Sequence, residues 1–290
     1  MRPSDVPVLC CPDCRAALVW SGREVAGRMD AGLLSCAGCR TSWIVSEGLP
    51  RLFREERVTG TDWLMRLIYD VGARLHDPAV HYLLPLVEGE GSEATLRDAY
   101  MRRLDLASLK PRRAGPVRIL EVGVGGGANL PLIRRDLPPG LDVEVWGADL
   151  SAGMLSECAR RVRDPRLGLG EVRLLMADAH ALPFPDASFD RVFHVGGIGG
   201  FRDPGRALAE MARVAVPGSP IVVVDEQLDP KLRRSPVRRA LFGLMTFYER
   251  DPHSPREKLP QGAGGIIDEQ ISPFCYCLTY KVPRALGPRH

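Results

Sequence analysis

The sequence predicts an α/β protein: a doubly wound, mostly parallel sheet closed by an antiparallel C-terminal strand, with a small cysteine-rich module in front. Three observations predict it. From residue 117 onward, short apolar runs alternate with amphipathic stretches, as βαβ units require. The first of these runs empties into a glycine-rich turn, Gly123-Val124-Gly125-Gly126-Gly127. Five of the eight cysteines fall within the first forty residues.

The elements follow in chain order. Residues 1–52 carry Cys, Gly and short β-like runs, Ala17-Leu18-Val19-Trp20 and Ser42-Trp43-Ile44-Val45; residues 54–62 are a polar linker. From about 63 the pattern is helical. Trp63, Leu64, Leu67, Ile68 and Val71 share one helical face, which predicts a buried stripe, and Asp62 is placed to cap that helix. Glu88-Gly89-Glu90-Gly91-Ser92 breaks the pattern, and a second helix is expected through Leu96 to Leu106. Strands are then expected at Val117–Val122, Val143–Ala148, Val172–Met176, Arg191–Val195 and Ile221–Val224. Helices are expected at Asn129–Leu137, Met154–Val162 and Pro204–Val214. Residues 226–260 read as helix and loop, and Phe274–Val282 as one long strand. The expected division is 1–52, 53–115 and 116–290.

At 290 residues and 45% hydrophobic, the chain can bury a sizeable core. No apolar run approaches the roughly 18–20 residues that span a bilayer. Met1-Arg2-Pro3-Ser4-Asp5 has no apolar stretch behind it, so a secretory signal is not expected and a cytoplasmic setting is. A net charge of +3 does not demand a nucleic-acid partner, nor does it exclude one. Lys110, Lys231, Lys258 and Lys281 are the only lysines, and the arginine bias reads as base composition. The pairs Arg134-Arg135 and Arg160-Arg161 read as solvated helix faces.

The chemistry centres on Ile119-Leu120-Glu121-Val122-Gly123-Val124-Gly125-Gly126-Gly127-Ala128-Asn129. Glycine suits a tight turn where a ligand must lie against bare backbone, and the free N–H groups of the following helix face that ligand. Asp149 falls at the end of the next strand, where a carboxylate can accept from both hydroxyls of a ribose. Gly123-x-Gly125-x-x-Ala128 with Asp149 also fits the dinucleotide fingerprint. Two acids separate the ligands. Glu121 would repel a pyrophosphate but can bind an ammonium, and Asp178 can accept from an adenine amino group beside a donating Ala179 N–H.

Leu-Glu-Val-Gly-x-Gly-x-Gly at 120–127, Gly-Ala-Asp-Leu-Ser at 147–151 and Ala-Asp-Ala-x-x-Leu-Pro-Phe at 177–184 together resemble the class I S-adenosylmethionine-dependent methyltransferases. The likeness is to the quinone-biosynthesis, small-molecule branch, and Ala207–Val214 with Pro217-Gly218 continues it; Ser219 departs from the usual second glycine. The resemblance covers about residues 117–225. It implies a Rossmann-like fold and a cofactor pocket lined by Glu121, Gly123, Gly125, Gly127, Asp149, Leu150, Met154, Asp178 and Ala179. It implies methyl transfer from S-adenosylmethionine to a small-molecule acceptor. His194, near the end of the fourth strand, is the candidate general base, if the acceptor must lose a proton. His180 reads as a pocket wall or a surface residue. By resemblance, Tyr69, Asp70, His76, His81 and Tyr82 belong to a helical segment capping the acceptor site. Methylation of RNA or protein, and a cofactor-binding scaffold without catalysis, remain open alternatives; a nicotinamide dehydrogenase is remote.

Cys11-Pro12-Asp13-Cys14 and Cys36-Ala37-Gly38-Cys39 are two Cys-x-x-Cys knuckles, the pattern of a tetrahedral zinc site. Cys11, Cys14, Cys36 and Cys39 are the expected ligands; Cys10 could substitute, but the Cys-Pro-x-Cys form favours Cys11. Cys158, Cys275 and Cys277 read as buried thiols. With Gly48-Leu49-Pro50-Arg51-Leu52, the module resembles the zinc ribbons of small methyltransferase-activating proteins and of a ribosomal-RNA guanine-N1 methyltransferase. No oligomeric state follows from the sequence.

Overall fold

A computed structural model describes residues 1–73, 92–249 and 251–282. Its centre is a sheet of five parallel strands: β5 (Val117–Val122), β6 (Val143–Asp149), β7 (Val172–Ala177), β8 (Arg191–Val195) and β9 (Ile221–Glu226). β5 is central, flanked by β6 and β8, so the strand order reverses there. These strands are apolar along almost every position because helices cover both faces. The core is aromatic beneath the sheet. Trp146, fully buried, meets the edges of Phe184 and Phe189 at ring-centroid distances of 5.7 and 6.3 Å.

The helices begin where their caps dictate. α3 (Leu130–Asp136) follows the glycine turn. Ser151 opens α4 (Ala152–Val162), its Oγ accepting from the Met154 N–H at 3.1 Å. Asp203 opens α5 (Pro204–Val214), accepting from Arg206, with Pro204 preset for the first turn. Ser235-Pro236 repeats the device at α6 (Pro236–Met245).

Two antiparallel strands close the far edge, where one was expected. β11 (Cys275–Lys281) pairs with β9, and β10 (Gly264–Gln270) pairs with β11. β10 escaped the sequence reading because Gly264-Gly265 opens it and its sides alternate weakly.

The N-terminal strands β1 (Leu18–Val25), β2 (Arg28–Cys36), β3 (Ser42–Ser46) and β4 (Leu49–Leu52) form an antiparallel meander. β4 then pairs in parallel with β7, Arg51 opposite Met176 and Leu52 opposite Ala177. The eleven strands of the described residues thus make one continuous sheet. Leu34, Trp43 and Val45 share a buried cluster with Leu120 and Trp146.

Two helices connect the halves: α1, helical over 61–73, and α2 (Ser92–Leu104), which ends in a 3-10 turn at Leu106–Ser108. α1 reverses the expected facing. Trp63, Leu64, Leu67, Ile68 and Val71 are exposed, and the opposite face turns inward. Asp62 lies inside the helix, not at its cap, and binds Arg202. Periodicity marks an apolar stripe, but it cannot say which way the stripe points. Among the described residues, no helix is long and apolar enough to cross a membrane.

Candidate functional site

Above the carboxyl ends of β5, β6 and β7 lies a cavity of about 880 Å³. This is the topological switch point, where open parallel sheets hold ligands. Glu121, Asp149 and Asp178, from three successive strand ends, all line it.

The floor is the glycine turn. Gly123 has φ +69°, and a Cβ there would meet the His194 ring at 2.9 Å; Gly125 has φ +52°. A side chain at either position would be strained and would fill the cradle. Gly127 takes no part in the lining described: a Cβ on it would meet Cys158 Sγ at 2.7 Å, so it serves helix packing.

Asp149 is held in place by backbone: the Gly125 N–H donates to Oδ2 and the Ser151 N–H to Oδ1, both at 2.8 Å. Burial pushes its carboxyl above the ordinary range. Each oxygen keeps a lone pair free for a ribose hydroxyl. Leu150 and Met154 complete this wall.

Glu121 is 1% exposed. The Asn129 amide donates to its Oε1 at 2.6 Å, while Oε2 has no hydrogen-bond partner. Arg97 Nη1 and the Tyr100 hydroxyl both donate to Asn129 Oδ1 at 2.6 Å. Burial pushes the Glu121 carboxyl up to about 8. An orphaned, desolvated carboxylate oxygen in a cavity fits a ligand ammonium group. The sequence reading missed Arg97 and Tyr100, because α2 lies outside the motif and carries no local signal for its facing; Asn129 ended the quoted motif but was given no role.

Asp178 is more heavily engaged than the sequence suggested. Its Oδ1 accepts from the His180 backbone N–H at 2.9 Å and the His180 Nδ1–H at 2.6 Å; Oδ2 accepts from Arg202 Nη2 at 2.5 Å. The Asp203 N–H donates to His180 Nε2, which fixes His180 as the neutral Nδ1–H tautomer. Burial alone would raise the Asp178 carboxyl, but His180 and Arg202 outweigh it and hold it at about 2. Arg202 also binds Asp62, tying α1 to the same acid. At the other end of α1, Asp70 accepts from Ser151 Oγ at 2.6 Å and from the Gly153 N–H at 3.0 Å. Ala179 lines the cavity beside Asp178.

His194 is 1% exposed and lines the cavity. Its Nδ1 lies 2.7 Å from the Val122 carbonyl oxygen, which can only accept; Nε2 therefore carries the lone pair, and it has no hydrogen-bond partner. Burial depresses the basicity of the ring. The adjoining chamber is walled by Met65, Tyr69, Phe201, Glu226 and Met245. The Tyr248 hydroxyl donates to Glu226 at 2.9 Å, and burial pushes the Glu226 carboxyl well above its ordinary range. Tyr69 is where the sequence placed it; His76, His81 and Tyr82 lie outside the described residues.

The four cysteines converge at the ribbon. Sγ atoms of Cys11, Cys14, Cys36 and Cys39 all lie within 4.8 Å of one another, with Cys11–Cys39 at 3.7 Å and Cys14–Cys36 at 3.3 Å. Tetrahedral zinc with Zn–S of about 2.3 Å implies S···S near 3.8 Å, close to this spacing. The Gly38 and Cys39 N–H groups donate to Cys36 Sγ at 3.3 and 3.4 Å, as thiolate ligands favour. Cys10 is buried apart from the cluster.

Residues 120–223 match the family profile described as a methyltransferase domain. Over 163 residues the chain is 37% identical to phosphatidylethanolamine N-methyltransferase of Cereibacter sphaeroides, a match covering 52% of this chain and 76% of the relative. The chain belongs to the class I S-adenosylmethionine-dependent methyltransferases. Another member, demethylmenaquinone methyltransferase of Thermus thermophilus, is 43% identical over 141 residues, 49% of this chain and 60% of that relative's length. Phosphoethanolamine N-methyltransferase 2 of Haemonchus contortus, solved with S-adenosyl-L-methionine, shares the fold at TM-score 0.53 and 16% identity, over 84% of this chain and 64% of that one. So does the [4+2]-cyclase SpnF, at TM-score 0.53 and 19% identity, over 76% and 96%. The matched profile begins well after the cysteine module.

Proposed function

We propose that this protein transfers the methyl group of S-adenosylmethionine to a small-molecule acceptor held in the chamber beside His194. One observation carries the reading: three carboxylates at the ends of β5, β6 and β7 face one cavity, and the innermost, Glu121, has a buried oxygen without a partner. When bound, S-adenosylmethionine supplies an electrophilic methyl group on a sulfonium.

The chain's own residues bind and orient. Glu121 Oε2 takes the α-ammonium group, and Asp149 the two ribose hydroxyls. Asp178 keeps one lone pair on Oδ2 for the adenine amino group, with the Ala179 N–H donating to a ring nitrogen. Apolar walls keep water from the acceptor and leave approach and alignment as the main contributions. Where the acceptor must lose a proton, it passes to the lone pair on His194 Nε2. Burial keeps that ring neutral and ready near neutral pH.

The similar proteins named above act on a demethylmenaquinone and on phosphatidylethanolamine, which are small molecules with apolar parts. Met65, Tyr69, Phe201 and Met245 suit an acceptor of that character. Zinc held by Cys11, Cys14, Cys36 and Cys39 stabilises the N-terminal meander. We assign residues 1–52 to this ribbon, 53–115 to the connecting helices and 116–290 to the catalytic fold.

Calorimetric titration tests the reading. Saturable binding of S-adenosylhomocysteine, with no heat from NAD, is expected; the reverse outcome would overturn it. Incubation with radiolabelled cofactor and a panel of quinols and amino lipids then identifies the acceptor. Salt-sensitive RNA binding with label transferred to RNA would replace the small-molecule acceptor.

A further inference from the structure

α1 and α6 both turn apolar side chains outward, and they do so at the same cavity. In α1, Met65, Tyr69 and Ala73 line the cavity, while Trp63 and Val71 are 56% and 82% exposed. In α6, Phe242 packs against Phe274 and Met245 reaches the cavity wall. On the opposite stripe, Val237 and Leu244, seven residues apart and so on one face, are 65% and 75% exposed; Phe247, just past the helix, is 62% exposed. Met65 of α1 and Tyr248, three residues past the end of α6, both approach Gly200, where a Cβ would lie 3.5 Å and 3.4 Å from them. Gly200 itself lines the cavity. The elements that carry the exposed side chains therefore border the acceptor end of the cavity, with Met65, Tyr69 and Met245 facing it.

Charge distinguishes this rim from an ordinary apolar patch. Between Asp229 and Glu249 there is no acidic residue. Lys231, Arg233, Arg234 and Arg239 are all exposed there, interleaved with the apolar stripe. A helix with cations beside exposed Leu, Val and Phe fits an interface where anionic headgroups meet acyl chains. A two-fold contact with a second copy would set this cationic segment against itself. RNA would answer the cations and leave the apolar stripe in water.

We propose that the α1–α6 rim docks on an anionic lipid bilayer and turns the acceptor chamber toward the membrane surface. Docking stands on the exposed side chains and cations alone. That the acceptor enters from the bilayer rests in addition on the methyl-transfer reading.

Vesicle sedimentation of the full chain tests it, using phosphatidylcholine with and without phosphatidylglycerol. Partitioning at least tenfold stronger with phosphatidylglycerol, and weakened by salt, is expected. The double variant Leu244→Glu/Phe247→Glu should lose at least tenfold of it, and Arg233→Glu/Arg234→Glu should lose the phosphatidylglycerol preference. Both should bind S-adenosylhomocysteine as the unaltered protein does, which shows the fold intact. The proposal is overturned if the unaltered protein stays in the supernatant, or if both variants sediment with it. It is equally overturned if light scattering finds a dimer that Leu244→Glu/Phe247→Glu splits while vesicle binding is absent. Failure to bind S-adenosylhomocysteine would sink the methyl-transfer reading and leave the vesicle result standing.

Discussion

Glu121 gives the site a pH signature. Its carboxyl is raised from an ordinary 4.5 to about 8 in the folded protein. Between those values the folded state holds a proton that the unfolded state has lost, so this group's stabilisation is present below about 4.5 and is lost as pH rises toward 8. Glu121→Gln should flatten that part of the curve of melting temperature against pH; an unchanged slope would contradict the assignment. The same residue predicts proton release. A ligand ammonium favours the ionised carboxylate, so binding S-adenosylhomocysteine below pH 8 should expel a proton. Calorimetry in buffers of different ionisation heat reads that proton directly, and Glu121→Gln should abolish it and weaken binding at least tenfold.

His194 tests the other half of the site. With the ring neutral, His194→Ala should reduce turnover by about 10²–10⁴-fold if the acceptor loses a proton in the slow step. Unchanged turnover with the true acceptor would remove it from the mechanism. The placement of Glu121, Asp149, Asp178 and His194 around one cavity was legible in the sequence, because each sits at or beside a strand end fixed by the βαβ rhythm. Arg202 was not. Its partners, Asp62 and Asp178, are 140 and 24 residues away in the chain, and no local pattern brings three such positions together.

At the scale of elements, α1 is strapped across the cavity at two points: Asp62 to Arg202 beside Asp178, and Asp70 to the start of α4 beside Asp149. Asp62 and Asp178 have side chains only 4% and 6% exposed, so Arg202 neutralises two buried acids. Arg202→Ala should cost about 3 kcal/mol, measured from the urea midpoint, because it takes the guanidinium from the Oδ2 atoms of two buried acids. Arg202→Lys should recover little, since one ammonium cannot reproduce the guanidinium fork. The helix was foreseen and its facing was not. Trp63 and Leu67 look like core residues by type, and only the polar partners Arg202, Ser151 and Gly153 reveal which side turns inward. β10 was missed for a different reason: the paired glycines at its start and the adjacent acids Asp268 and Glu269 hide an edge strand.

For the whole molecule, the sheet joins the cysteine module to the catalytic fold. The sequence separates them by composition, and a parallel pairing between positions 51 and 176 has no local signature. A shared buried cluster and a shared sheet imply one cooperative unit. Plasma emission analysis should find one zinc per chain, and Cys14→Ser with Cys36→Ser should eliminate it. Stripping the metal should lower the melting temperature of a single calorimetric transition; a separate early transition would show that the ribbon unfolds alone.

That seam at β4 and β7 has a consequence for handling the protein. β7 would otherwise present a ladder of unanswered amides and carbonyls beside β6, the kind of template on which neighbouring chains recruit one another. Leu49–Leu52 fills that edge as the last strand of the meander that the cysteine knuckles close. Chelated or oxidised material should therefore become turbid in a concentration-dependent way, while metal-replete material stays clear.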